Sequence, residues 1–147
     1  MKKFVLVAAM AGSLVSGQAI ADCSSGSRLN AAAISPLLGG NTVCVPTTTI
    51  PTMTWQELHV GTSTSTTGAL IDFKRGPGHA VDPSETVGTW TVTGTGVGNS
   101  FVTHAYSGGG GTYIYSVHGS GVVGTNHSFC SGATEIVARV KSGGGAC

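Results

Sequence analysis

Val87-Gly88-Thr89-Trp90-Thr91-Val92-Thr93-Gly94 is the stretch whose reading decides the fold class. Taken at a period of two, Trp90 and Val92 fall on one face while Thr89, Thr91 and Thr93 fall on the other. A pleated strand sends alternate side chains to opposite faces, so the pattern predicts a strand buried on one side and wet on the other. Threonine, valine and tryptophan are also residues that a half-buried pleated surface favours.

The same alternation continues outward from this stretch. Tyr113, Tyr115 and Val117 oppose Thr112, Ser116 and His118, with Ile114 out of step. Ile136, Ala138 and Val140 oppose Glu135, Arg139 and Lys141, with Val137 out of step, and Ile71 and Phe73 point away from Asp72 and Lys74. Strands are predicted over 41–46, 54–61, 69–74, 87–94, 100–107, 112–118, 127–130 and 134–141. The segments 62–68, 95–99, 108–111 and 119–126 read as hairpin loops rich in glycine, serine, threonine and asparagine. No helical pattern of crossover length separates these strands, which excludes parallel βαβ units. The fold class expected is all-β, a small antiparallel meander of about 7–8 strands closed as a barrel or folded as a sandwich.

A short N-terminal helix is expected within 24–40. Leu29, Ala31 to Ala33 and Ile34 make two turns after Ser27 or Asn30, and Ser35-Pro36 then supplies a cap and first-turn proline for a separate short turn ending at Gly39-Gly40.

Two strands do not settle which face is inside. In 54–61 one face holds Trp55, Glu57 and His59 and the other Gln56, Leu58 and Val60; in 100–107 one face holds Phe101, Thr103 and Ala105 and the other Val102, His104 and Tyr106. If Trp55 is buried, Glu57 and His59 are buried with it, because side chains two apart share a face.

The first residues read as a secretion signal. Lys2 and Lys3 precede an apolar run from Phe4 to Val15, and Ala19-Ile20-Ala21 has the small-x-small form of a cleavage site, so 1–21 is expected to be removed and 22–147 to form one domain. The apolar run is short for a transmembrane helix, which needs about 20 residues. A lipid-attachment site at Cys23 would want a small residue directly before it, and Asp22 stands there. The expectation is an exported protein, periplasmic or extracellular, with no membrane anchor after cleavage.

All four cysteines, Cys23, Cys44, Cys130 and Cys147, follow the signal, and an even number in an exported chain reads as two disulfides with three possible pairings. Cys44 and Cys130 both sit in strand-like runs, which favours Cys44–Cys130 and leaves Cys23–Cys147. A zinc site is disfavoured by the absence of any Cys-x-x-Cys pair.

Only 9% of the residues are charged and the formal net charge is +1, so no basic stripe is available to neutralise phosphates and nucleic acid is not an expected partner. No G-x-S-x-G elbow, phosphate-binding glycine loop, HExxH or CxxCH is present, and no catalytic residue, metal ligand set or cofactor is assigned.

The polar groups that invite chemistry are few. Along one face, Glu57 and His59 lie about 7 Å apart at ~3.4 Å per residue, close enough to share a ligand. Trp55, Trp90, Tyr113 and Tyr115 are the aromatics available to line a cavity, with Glu57, His59 and His104 supplying polar contacts. The competing reading places Glu57 and His59 on a wet face. Histidines 59, 79, 104, 118 and 127 lack a local metal-binding spacing. The segment 75–86 concentrates Arg75, His79, Asp82 and Glu85, and Asp82-Pro83-Ser84-Glu85 also has the form of a capped helical turn.

Gly88-Thr89-Trp90 resembles the Gly-x-Trp signature of lipocalins and of avidin-like barrels. In lipocalins that motif opens the first strand and its tryptophan closes one end of the barrel; here it falls after several predicted strands. Leu38-Gly39-Gly40-Asn41-Thr42-Val43-Cys44, Trp55-Gln56-Glu57-Leu58-His59 and Val87-Gly88-Thr89-Trp90 together resemble small secreted bacterial proteins of unassigned function. The resemblance implies a barrel and no particular activity.

Three functional readings follow. The first is a barrel binding a small molecule in an aromatic-lined cavity. The second is a surface or structural module that engages a protein partner through its polar faces and strand edges. The third is a hydrolase or metal-dependent enzyme built on Glu57, His59 and the 75–86 segment.

Overall fold

The computed structural model describes residues 22–23, 26–45, 55–73 and 84–147. The expected signal at 1–21, His79 and most of the 75–86 segment lie outside the described residues. Glu85, expected in a capped helical turn, instead opens a strand.

One helix precedes the strands, α1 (Ala31–Leu38). Asn30 caps it, its side-chain oxygen accepting from the Ala33 N–H at 2.9 Å, which satisfies one of the first-turn donors that a helix leaves unpaired. The expected break at Ser35-Pro36 does not occur: Pro36 lies inside α1, and the helix continues to an N–H of Gly39 that donates to the Ser35 carbonyl at 2.9 Å. In so short a helix the proline removes one internal bond without ending the run.

Eight strands follow: β1 (Thr42–Val45), β2 (Trp55–His59), β3 (Thr67–Asp72), β4 (Glu85–Thr93), β5 (Phe101–Tyr106), β6 (Gly111–Gly119), β7 (Asn126–Ser131) and β8 (Thr134–Lys141). Each pairs antiparallel with the next, and β8 returns to β1 through Thr42↔Lys141, Val43↔Val140 and Cys44↔Arg139. The sheet is therefore a closed barrel rather than a sandwich, and closure removes the free edge that an open sheet would present.

Inward-facing residues follow the register. Val43, Leu70, Trp90, Val102, Val117, Phe129, Ala138 and Val140 are fully buried. They form one apolar cluster with Ile34, Leu37 and Leu38 of α1. On β3 the buried residue is Leu70, with Asp72 on its face, so Ile71 is half-buried and turned outward, contrary to the expected inward set.

α1 lies across one end of the barrel. Gly40 N–H donates to the His59 carbonyl at 2.8 Å, Leu29 N–H to the Val117 carbonyl at 2.8 Å, and Ala31 N–H to Ser100 Oγ at 2.9 Å. Trp90 closes the same end from within. Its indole N–H donates to the Val60 carbonyl at 3.2 Å, and a Cβ at Gly68 would lie 2.8 Å from the indole nitrogen and against the Val60 carbonyl. Position 68 thus has no room for a side chain, which is the reason a glycine stands there.

The two disulfides join Cys23 to Cys130 and Cys44 to Cys147, correcting the expected pairing. Cys44 and Cys130 are in strands on different parts of the wall, so each reaches a terminal segment instead of the other. Cys44–Cys147 holds the C-terminal residues over β2, where Cys147 N–H donates to Gln56 Oε1 at 2.7 Å and leaves Gln56 2% exposed on the outer face.

Candidate functional site

The end of the barrel opposite α1 gathers the polar and aromatic residues. Both ambiguous strands turn their chemically richer face inward: β2 contributes Trp55, Glu57 and His59, and β5 contributes Val102, His104 and Tyr106. The reason lies in cross-strand partners. Glu57 stands opposite Val43, His59 opposite Leu70, and His104 opposite Trp90, and all three partners belong to the core.

The inward residues descend in layers from the rim. Trp55, Tyr106 and Tyr113 are outermost, Glu57, His104 and Tyr115 come next, and His59 lies deepest, packed edge-on to Trp90 at 5.5 Å between ring centroids. Tyr113 and Tyr115 stack with centroids 6.5 Å apart, Tyr106 meets Tyr113 edge-on at 5.8 Å, and Trp55 meets His104 edge-on at 6.0 Å. Tyr113 is 47% exposed whereas Glu57 is 3% exposed, so the carboxyl lies beneath the aromatic rim.

A line of polar contacts runs from rim to core. Tyr106 Oη donates to Glu57 Oε2 at 2.9 Å; the same oxygen is 3.8 Å from His104 Nδ1, and His104 Nε2 faces His59 Nε2 at 3.0 Å. His59 Nδ1 and His104 Nδ1 are buried without a hydrogen-bond partner among the described residues.

Burial controls the charges along this line. Desolvation raises the Glu57 carboxyl to about 7, with hydrogen bonds from Trp55 and Tyr106 acting against it and neighbouring Asp72 adding to it. Desolvation lowers His104 to about 4 and holds His59 well below the usual imidazole range, the latter reinforced by repulsion from His104. Burial also pushes the Tyr106 and Tyr115 hydroxyls up, with the charge of Glu57 as the second cause in both. Burial thus favours the uncharged form of both histidines and of the Glu57 carboxyl.

Of the residues expected at a site, Trp55, Glu57, His59, His104, Tyr113 and Tyr115 converge on this end and its interior. Trp90 does not line the rim: it is buried beside α1. His118 lies on the opposite face of its strand from Val117 and contacts Ser116 Oγ at 3.1 Å, and His127 accepts from Gly121 N–H at 3.1 Å, so neither joins the cluster. Sequence reasoning left out two residues, Tyr106 and Asp72, and placed Glu85 in a different setting. Tyr106 shares a face with His104 and enters the barrel with it; Asp72 stands opposite Glu57 and Glu85 opposite Asp72, a row of carboxyl-bearing positions across β2, β3 and β4. The two-residue spacing of His104 and Tyr106 carries the first signal, but the carboxyl row depends on register and is invisible in the chain.

Among the described residues no group of three or more histidine, cysteine, aspartate or glutamate side chains is placed to hold a metal ion. No described helix is long and apolar enough to cross a membrane, and both disulfides fit an oxidising compartment. The closed antiparallel eight-stranded barrel is consistent with lipocalin-like barrels in architecture. The chain matches no protein-family model, no curated protein and no solved structure.

Proposed function

We propose that this protein binds a small molecule at the aromatic rim opposite α1, in keeping with an exported binding barrel. The observation that carries the reading is the convergence of Trp55, Tyr106, Tyr113 and Tyr115 around the entrance to one nearly buried carboxyl, Glu57. Small-molecule sites are mostly apolar and aromatic, with a few placed polar groups that fix orientation, and barrel mouths commonly supply them.

The two other readings have less to stand on. Each described strand has a paired neighbour on both sides, so no whole strand stands as a free edge for a partner to extend. A hydrolase would need a nucleophile beside a histidine base, yet the Nε2 atoms of His59 and His104 bond each other and all described cysteines are in disulfides.

Native mass spectrometry of protein from its export compartment, followed by titration with the neutral fluorescent probe N-phenyl-1-naphthylamine, tests the reading. A retained small-molecule mass or saturable one-to-one probe binding, weakened at least fivefold in Tyr113→Ala, is the expected result. No retained mass together with no saturable probe binding would overturn it.

A further inference from the structure

We infer that this protein pairs with a second copy of itself through residues 111–115, the rim half of β6, each copy adding that stretch to the other as an antiparallel strand. The inference goes beyond the small-molecule reading and does not depend on it.

The barrel is closed, but its strands are unequal in length. β6 pairs with β5 through residues 111–115 and with β7 only through residues 116–119. β7 ends at Ser131 and turns there into β8, so no described strand lies beside residues 111–115 on the β7 side. Gly111, Thr112, Tyr113 and Ile114 are all exposed.

The opposite side of β6 shows which main-chain groups face this opening. Where β6 outruns β5, the chain covers it with its own leading segment, bridged at Arg28 and His118. Leu29 N–H donates to the Val117 carbonyl at 2.8 Å and Gly119 N–H to the Ser27 carbonyl at 2.9 Å, so Val117 and Gly119 turn their main chain to the β5 side. Successive residues of a strand turn these groups to alternate sides, which leaves the N–H and C=O of Thr112 and Ile114 facing the open side. An added extended segment already covers the other bare stretch of this strand.

A second copy fits the opening in one register. A two-fold axis at Tyr113 sets Thr112 opposite Ile114 of the second copy and Ile114 opposite its Thr112, exchanging about four main-chain hydrogen bonds. Sliding the second strand by two residues would draw in Gly110, whose N–H donates to the Ser107 carbonyl in the turn, or Ser116, already paired with Cys130. In the matched register Tyr113 meets its own counterpart, and Thr112 meets Ile114 on the outer face, both contacts that stabilise paired strands. Charge does not oppose the pairing. Residues 101–115 contain no aspartate, glutamate, lysine or arginine, and the formal net charge of the chain is only +1. The stretch also lacks the proline or lysine by which exposed edges avoid one another. A foreign strand would gain the main-chain bonds without the match at Tyr113. Pairing covers Tyr113 and Ile114, 47% and 52% exposed in the single chain, and sets the two aromatic rims side by side. An edge this short buries less than the ~1,200 Å² of a stable interface, so the dimer is weak, with a Kd of about 0.1–1 mM.

Amide hydrogen exchange read by NMR, with sedimentation equilibrium on the same samples, tests the pairing. Between about 20 µM and about 2 mM chain, sedimentation should pass from monomer toward dimer, and the Thr112 and Ile114 amides should slow at least twofold. The Tyr113 amide, which faces β5, should not change. Ile114→Lys, at an exposed position, places like charges beside the axis and should abolish both effects. Thr112→Lys, also at an exposed position, serves if that variant does not fold. Exchange rates independent of chain concentration overturn the inference, and do so in favour of a foreign strand if an added (Thr-Val)3 peptide slows the same two amides. A dimer that forms without slowing them, or that survives both lysine variants, places the contact elsewhere and overturns it as well.

Discussion

His59 and His104, on strands that do not pair, meet inside the barrel with their Nε2 atoms 3.0 Å apart. Two neutral imidazoles at that distance share one proton donor, so one ring is protonated at Nε2 and the other at Nδ1. Nitrogen-15 NMR at pH 6 should show these two complementary neutral tautomers. Two imidazolium signatures, or two identical tautomers, would refute the arrangement.

The same burial sets a pH dependence with opposing parts. His104 has its folded pKa depressed to about 4, so its contribution is complete above the unfolded value of 6.5 and is lost as the pH falls toward 4; His59 acts in the same direction. Glu57 is raised from 4.5 to about 7, so its contribution is present below 4.5 and is lost as the pH rises through 7. Glu57→Gln should therefore gain stability over the natural protein on going from pH 5 to pH 8, by roughly 2–3 kcal/mol. Urea denaturation at the two pH values measures this, and a constant difference between the proteins would contradict it.

Disulfide connectivity is directly testable. Non-reducing digestion followed by mass spectrometry should recover the Cys23 peptide with the Cys130 peptide, and Cys44 with Cys147. Replacing Cys44 and Cys147 together by serine should cost about 2–5 kcal/mol, since the bridge closes a long loop. It should also expose Gln56, now covered by the C-terminal residues.

Gly68 is the tightest test of the closed end. Gly68→Ala drives a methyl group against the Val60 carbonyl and the Trp90 indole nitrogen, threatening the bond between them. Overpacking of this kind costs about 1–3 kcal/mol, and displacement of a fully buried tryptophan places the expected loss at the upper end. Thermal unfolding unchanged from the natural protein would show that Trp90 does not anchor this end.

Much of the fold was legible because its signals are local. The alternation of Trp90 and Val92 against Thr89, Thr91 and Thr93, and of Ala138 and Val140 against Arg139 and Lys141, comes from strands with one buried face, and the structure buries those faces. All eight strands fall within the predicted runs give or take a few residues, as does the helix start at Asn30. Pro36 misled because a proline usually marks a helix start, while here the preceding turn already had its cap in Asn30.

The chain by itself determined the antiparallel all-β class, the short leading helix and the cysteine number that allows two bridges. These depend on side-chain period, turn chemistry and residue counts, all of which act over a few neighbouring residues. Only the tertiary structure decided closure, the inward face of Trp55, Glu57 and His59, the cysteine partners and the carboxyl row from Glu57 to Glu85. Those are matters of register between distant strands, where a shift of one residue would turn Glu57 and His104 out to water and bring Gln56 and Thr103 in.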